Sequence, residues 1–271
     1  MGNNSIMNRS VAGAVFGDIC GSIYEFNNLK TTDVDSIELY DERGHFTDDS
    51  LMTLIVAEAI KKAKKDGNIN NAKKHINDLV DKIARNHMDC GFGGRFYKWV
   101  LSDNKQPYNS FGNGSAMRIG YVIDVAESIE EGKELSRIVT EITHNHEDGI
   151  KGAEAIVVCG IMAKQRQTKE EIKKYIVDNY YKLNFTIDEI RPFYSFDETC
   201  QGSVPQAIEL FLESSSFENA VQLAISLGGD CDTTACMVGS IAGQYYEVPD
   251  KVNEYNISKL SDDLKEIYIN L

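Results

Sequence analysis

In Thr47-Asp48-Asp49-Ser50-Leu51-Met52-Thr53-Leu54-Ile55-Val56-Ala57-Glu58-Ala59-Ile60-Lys61-Lys62-Ala63-Lys64-Lys65-Asp66-Gly67, Leu51, Met52, Ile55, Val56, Ala59 and Ala63 recur at helical spacing. Gly67 stops the pattern, and the lysines crowd the last turns, where cations complement the helix macrodipole. The spacing predicts a helix over 48–65 with Thr47, Asp48 and Asp49 at its N-terminus. A second acidic cluster, Asp230-Cys231-Asp232-Thr233, opens another helix-like run about 180 residues later. Each cluster sets carboxylates beside a hydroxyl. If folding unites them, four carboxylates share one small volume, and such charges either raise one another's pKa or require a cation. Carboxylate plus Thr hydroxyl is a hard, all-oxygen donor set, which suits Mg²⁺ or Mn²⁺ rather than zinc.

Helical periodicity runs through nearly the whole chain, which has only four prolines and little strict apolar/polar alternation. Thr168 with Glu171, Thr186 with Glu189, and Ser215 with Glu218 have capping-box form. Helices are expected near 11–23, 48–65, 71–87, 93–102, 115–130, 133–142, 148–165, 169–182, 186–190, 203–213, 217–227, 233–246 and 258–269. Gly13, Gly17 and Gly21 recur four apart, as do Gly239 and Gly243. A helical glycine costs roughly 1 kcal/mol against alanine, so close backbone packing of two helices is the simplest reason for them. Such packing would bring the segment Asp18 to Glu25 near Asp230 to Thr233.

The chain has 271 residues, enough for one large domain with a substantial core. Asp and Glu number 42 against 28 Lys and Arg, a formal charge of -14 that disfavours nucleic acid and anionic membranes. The six cysteines are scattered without a CxxC pair, and Val11 to Phe16 is too short for a signal or a span, so a reduced, cytoplasmic protein is expected. Ile6 occupies the position where N-myristoylation needs Ser or Thr. Residues 1–9 read as a tail with Met7 an alternative start, and residues 10–271 as the domain, taken to be monomeric.

Two glycine-rich segments, Gly91-Phe92-Gly93-Gly94 and Gly112-Asn113-Gly114-Ser115, precede helix-like runs. Free N–H groups there suit a phosphate, although glycine before a helix also serves as a plain turn or cap. Tyr108 and Phe111 flank the second segment and offer an aromatic face for a nucleobase; Phe111 taken alone reads as core. Thr143-His144-Asn145-His146 offers a histidine pair, but with no cysteine or third histidine nearby a substrate-contacting or N-cap role is favoured over zinc. His45 and His87 read as surface or ordinary polar positions. Glu25 is a plain helix-end acid unless it faces the metals.

Taken in order, Gly17-Asp18-x-x-Gly21-Ser22-x-Tyr24-Glu25, Phe46-Thr47-Asp48-Asp49-Ser50, Gly112-Asn113-Gly114-Ser115-Ala116-Met117-Arg118, Thr143-His144 and Gly228-Gly229-Asp230-x-Asp232-Thr233-x-Ala235 resemble the ADP-ribosylglycohydrolases over residues 11 to 245. The resemblance implies an all-α, compact, single-domain orthogonal helix bundle with two Mg²⁺ or Mn²⁺ ions. It implies Thr47, Asp48, Asp49, Asp230, Asp232 and Thr233 as metal ligands. Glu25, Asp48 and Asp49 take the catalytic positions, and Glu25 matches an acid of the serine-linkage branch. Gly91, Gly93, Ser110, Gly112, Asn113, Gly114 and Ser115 resemble the diphosphate and ribose cradle, Phe111 the adenine-stacking position and His144 the histidine beside ADP-ribose. Lys105 to Tyr108 departs from the family pattern for a second aromatic wall. The implied reaction is hydrolysis of the glycosidic bond between ADP-ribose and a serine or arginine side chain, or a small-molecule acceptor, releasing ADP-ribose. Two other readings stand beside it: a non-catalytic ADP-ribose-binding protein and a Mg²⁺-dependent phosphoanhydride hydrolase.

Overall fold

The computed structural model describes residues 8–271, which fold as a single all-α domain. Its helices are α1 (Arg9–Gly21), α2 (Asp48–Lys65), α3 (Asn71–Lys82), α4 (Gly94–Leu101), α5 (Gly114–Met117), α6 (Gly120–Val125), α7 (Ile129–Thr140), α8 (Glu147–Lys164), α9 (Lys169–Asn179), α10 (Ile187–Ile190), α11 (Cys200–Glu213), α12 (Phe217–Leu227), α13 (Cys231–Tyr245), α14 (Asp250–Lys259) and α15 (Asp262–Asn270). Among the described residues the only β-pairing is an isolated antiparallel bridge between Gly112 and Thr199. No described helix is long and apolar enough to cross a membrane. The six cysteines are unpaired thiols.

Helix α2 has the bounds its apolar spacing predicts, with Thr47 as N-cap accepting the Asp49 N–H. It is buried from Asp49 to Ala57, and α1 and α13 are buried over almost their whole lengths. Helices apolar on every side belong at the centre of a domain, and the more amphipathic α3, α7, α9 and α12 complete the outer layer.

The glycines decide how α1 meets α13. A Cβ on Gly13 would overlap the Gly239 carbonyl, one on Gly17 the Ala235 carbonyl, and one on Gly21 the Asp232 backbone. At the other end a Cβ on Gly243 would overlap the Arg9 carbonyl. The helices therefore run antiparallel with backbones touching along their length, at a separation only glycine permits. The C-terminal end of α1, with Asp18 and the loop to Glu25, is thereby fixed against the N-terminal end of α13, with Asp230, Asp232 and Thr233.

Several boundaries differ from expectation. The segment 115–130 is two short helices, because the buried Arg118 turns its guanidinium back onto the Gly114 carbonyl and ends α5 there. The C-terminal region is also two helices, α14 starting after Pro249 and α15 after Ser261; α14 went unread because it buries only Val252 and Asn256. The expected helix over 71–87 stops at Lys82 and continues as a 3-10 turn at Ala84–Asn86. Capping boxes form at Thr168 and Thr186, each worth about 1 kcal/mol, but the third start is capped by Ser216, one residue later, while Glu218 accepts from the Tyr40 hydroxyl. Arg9, assigned to the tail, opens α1; residues 1–7, with the alternative start at Met7, lie outside the described residues.

Candidate active site

The two acidic clusters meet. The Thr233 hydroxyl donates to Asp49 Oδ2 at 3.1 Å across 184 positions of sequence. One group of mutually close carboxylates is Asp18, Asp49 and Asp232, a second is Glu25, Asp230 and Asp232, and within each the oxygens lie within 4.8 Å of one another. Asp232 belongs to both. At that separation a pair of like charges repels by roughly 3 kcal/mol at an effective dielectric of 20.

Asp18 had drawn no role from sequence beyond its place in the motif. It is fully buried at the C-terminal end of α1 and accepts from the Thr47 and Ser50 N–H groups at 3.0 Å each, from the Thr47 hydroxyl at 2.7 Å and from the Ser50 hydroxyl. It thus satisfies free donors at the start of α2 and binds that helix end to α1. Thr47 Oγ1 gives its proton to Asp18 and accepts the Asp49 N–H at 3.3 Å, which leaves one lone pair for another partner.

Burial first, and the neighbouring acids second, push Asp49 and Asp232 well above the ordinary carboxylate range. Burial, then Asp230 and Asp18, pushes Glu25 up to about 7. Burial, then Asp18 and Asp230, pushes Asp48 up to about 7, with Arg118 pulling the other way. Groups whose folded pKa exceeds the unfolded value favour folding below the unfolded pKa and lose that contribution as pH rises through the folded one. In chelator-treated protein, Tm is therefore expected to fall as pH is raised from about 4.5 to about 7, the window set by Glu25 and Asp48. Adding Mg²⁺ at the upper end is expected to restore it; a flat metal-free profile in differential scanning fluorimetry would show that the acids do not repel.

Above the carboxylates lies a cavity of about 450 Å³, of a size suited to a small ligand. Thr47, Asp48, Asp49, Asp230, Asp232, Thr233 and Glu25 line it together with Gly91, Gly93, Ser110, Phe111, Gly112, Asn113, Gly114 and His144. Gly91 has φ +105, and a Cβ there would stand 3.2 Å from Asp48 Oδ1. Only glycine suits that backbone. Asn113 joins the glycine loop to the turn that carries Asp230, its Nδ2 donating to Asp230 Oδ2 at 2.6 Å while its N–H donates to the Glu198 carbonyl at 2.8 Å.

Ser115 is the exception among the residues expected in the cradle. It is fully buried, and its hydroxyl donates to the Gly149 carbonyl at 2.8 Å, fastening α5 to α8 instead of facing the cavity. The two histidines separate: His144 is buried against the cavity, whereas His146 caps α8 by accepting the Asp148 N–H. Burial and the Arg118 and Arg95 charges hold His144 well below its ordinary pKa, so its ring is neutral. Phe111 is exposed on the cavity wall, not in the core, with its ring 5.3 Å from that of His146. His87 pairs with Asp263 at 2.9 Å, and His45 lies 3.3 Å from the Ser22 hydroxyl, both as ordinary polar residues.

The family model described as ADP-ribosylglycohydrolase matches residues 7–268. The chain belongs to the ADP-ribosylglycohydrolase family. It is 24% identical to ADP-ribosylhydrolase ARH3 of Mus musculus over 87% of this chain and 82% of that one. To ADP-ribosylhydrolase ARH3 of Gallus gallus it is 23% identical, over 95% and 92%. A solved structure, "ADP-ribosylglycohydrolase-related protein complex", shares the fold with a TM-score of 0.62 at 16% identity, over 97% of this chain and 96% of that one. This ADP-ribosylglycohydrolase is accordingly an enzyme of the ADP-ribosyl hydrolase class.

The residues of this ADP-ribosylglycohydrolase fit a divalent cation on grounds of their own. Asp49 Oδ1 and Asp232 Oδ1 are buried with no hydrogen-bond partner, a costly arrangement for carboxylate oxygens. Both belong to the acidic groups, whose ligand atoms are all carboxylate oxygens, the chemistry a hard cation takes. Sequence reasoning gave no part to Arg95, Arg118, Phe196 or Glu198, which also line the cavity. The Arg118 guanidinium lies 5.2 Å from the Phe96 ring centre, and that of Arg95 lies 4.7 Å from the Tyr108 ring centre. The only sequence signal for Arg118 was its place at the end of the Gly112 motif; for Arg95, Phe196 and Glu198 there was none.

Proposed function

We propose that this ADP-ribosylglycohydrolase cleaves the glycosidic bond between ADP-ribose and a modified side chain, with two divalent cations, Mg²⁺ or Mn²⁺, at the carboxylate end of the cavity. One observation carries the reading: two carboxylate groups share Asp232, and the cavity above them is walled by glycine loops and Phe111. Thr47, Asp48, Asp49, Asp230, Asp232 and Thr233 would hold the cations, which would supply Lewis acidity and lower the pKa of a nucleophilic water.

The protein's own groups carry the rest. Breaking the bond builds positive charge at the anomeric carbon of the distal ribose, and the acidic end of the cavity stabilises that charge. The glycine loops and Asn113 admit the diphosphate and ribose at close range, and Phe111 offers a face for adenine. Glu25 is half-buried at the cavity edge, and with its pKa pushed up to about 7 it can give or take a proton near neutrality. Its resemblance to the acid of the serine-linkage branch favours an O-linked, serine-type acceptor, carried by a protein or a small molecule. The enzyme is taken to act as a cytoplasmic monomer.

Calorimetry with ADP-ribose, with and without Mg²⁺, tests the site: binding should depend on the metal, and metal-independent or absent binding would remove the reading. Product analysis separates the alternatives, since AMP and ribose phosphate mean anhydride cleavage, and binding without any product means a non-catalytic binder. Serine-modified and arginine-modified peptides assayed side by side decide the linkage. Glu25→Gln is expected to lower kcat about 10² to 10⁴-fold while leaving Mg²⁺ affinity within a few-fold, whereas Asp48→Ala should weaken both. Full activity in Glu25→Gln would take the proton-transfer role away from Glu25.

A further inference from the structure

Exposed phenylalanines gather beside the acidic end of the cavity. Phe26, directly after the cavity-lining Glu25, is 87% exposed, and Phe196, which lines the cavity, is 46% exposed. Their rings stack on each other, 6.5 Å between centres and 17° between planes. The two loops that carry them are fastened to the turn that presents Asp230. Asn28 Oδ1 accepts the Gly229 N–H at 2.9 Å, Lys30 donates to the Tyr194 carbonyl, and the Tyr194 ring packs where a Gly229 side chain would stand. The aromatic pair is thus held in register with the carboxylates, although none of the described residues covers it.

The position of Glu25 says what does. Glu25 stands with Asp230 and Asp232 and lines the same cavity as Phe196, so a substrate whose scissile bond lies at that carboxylate group brings its acceptor beside Phe26 and Phe196. We propose that Phe26 and Phe196 form the surface on which the polypeptide flanking the modified residue lies, making them specificity determinants for protein over free amino-acid substrates. This rests on the hydrolase reading above. A stacked aromatic pair gives apolar area without demanding one sequence, which suits an extended peptide backbone and its side chains.

The test compares one ADP-ribosylated peptide with the same ADP-ribosylated amino acid carrying no flanking residues, using wild type, Phe26→Ala and Phe26→Trp. Phe26 makes no contact with the core, so the alanine variant should fold normally. Phe26→Ala is expected to lose about tenfold in kcat/KM on the peptide, mostly through KM, the effect of one buried aromatic contact. On the free amino acid it should match wild type, and Phe26→Trp should keep the peptide preference. Equal rates on the peptide for Phe26→Ala and wild type, or an equal loss on both substrates, would overturn the proposal while leaving the hydrolase reading standing. A wild-type enzyme that turns over neither substrate would overturn both.

Discussion

Asp232→Asn is expected to lower turnover by at least about 10³-fold, the equivalent of about 4 kcal/mol of transition-state stabilisation, and to abolish the rise in Tm on adding Mg²⁺. Asp232 is the carboxylate common to both acidic groups, so its loss weakens both candidate cation positions at once. The metal-free protein should respond in the opposite sense. Asp232 is buried, repelled by Asp230, Asp49, Glu25 and Asp18, and has an oxygen without a partner, so removing its charge should leave the metal-free fold at least as stable as wild type. Thermal melts with chelator and with Mg²⁺, alongside turnover, check both halves. A variant that keeps the Mg²⁺ response would remove Asp232 from the cation site.

Gly17→Ala, a change of one methyl group, is expected to destabilise the protein by at least about 4 kcal/mol, a large share of the usual stability of a domain. The new Cβ would overlap the Ala235 carbonyl carbon and oxygen and lie 2.8 Å from the Cys236 nitrogen. Backbone cannot rotate away as a side chain can, so α1 and α13 must separate. Gly94→Ala is the control: at the first position of α4 a Cβ meets nothing within 4 Å, and the change should stay within about 0.5 kcal/mol. Urea midpoints for the two proteins decide the matter, and similar values would mean the helices do not touch as described.

Sequence made legible those parts of the fold that rest on periodic burial or on steric need. Leu51 to Ala63 announces α2, and glycines four apart announce the seam between α1 and α13. The convergence of Thr47–Asp49 with Asp230–Thr233 follows from that seam. Less legible were features set by a single long side chain or by tertiary capping. Arg118 breaks a continuous helical pattern by reaching its own Gly114 carbonyl, and Asp18 caps α2 from a different helix 29 positions earlier. Neither bond leaves a local pattern. Ser115 follows Gly112, Asn113 and Gly114, which all line the cavity, and only the packing of α5 on α8 shows that it faces away. Phe26 and Phe196 were invisible because exposed aromatics carry no periodicity and stack only after two loops meet.

The antiparallel seam also sets when, during synthesis, the enzyme comes into being. Asp18 is made before Asp232 and can reach Thr47 and Ser50 without it, but the shared acidic group forms only once α13 has emerged and packed against the first helix. A ribosome-bound or prematurely stopped product lacking α13 would be without Asp232 and Thr233, and no amount of added Mg²⁺ could rescue it. Catalytic competence therefore waits for that segment, however much of the chain has been made before it.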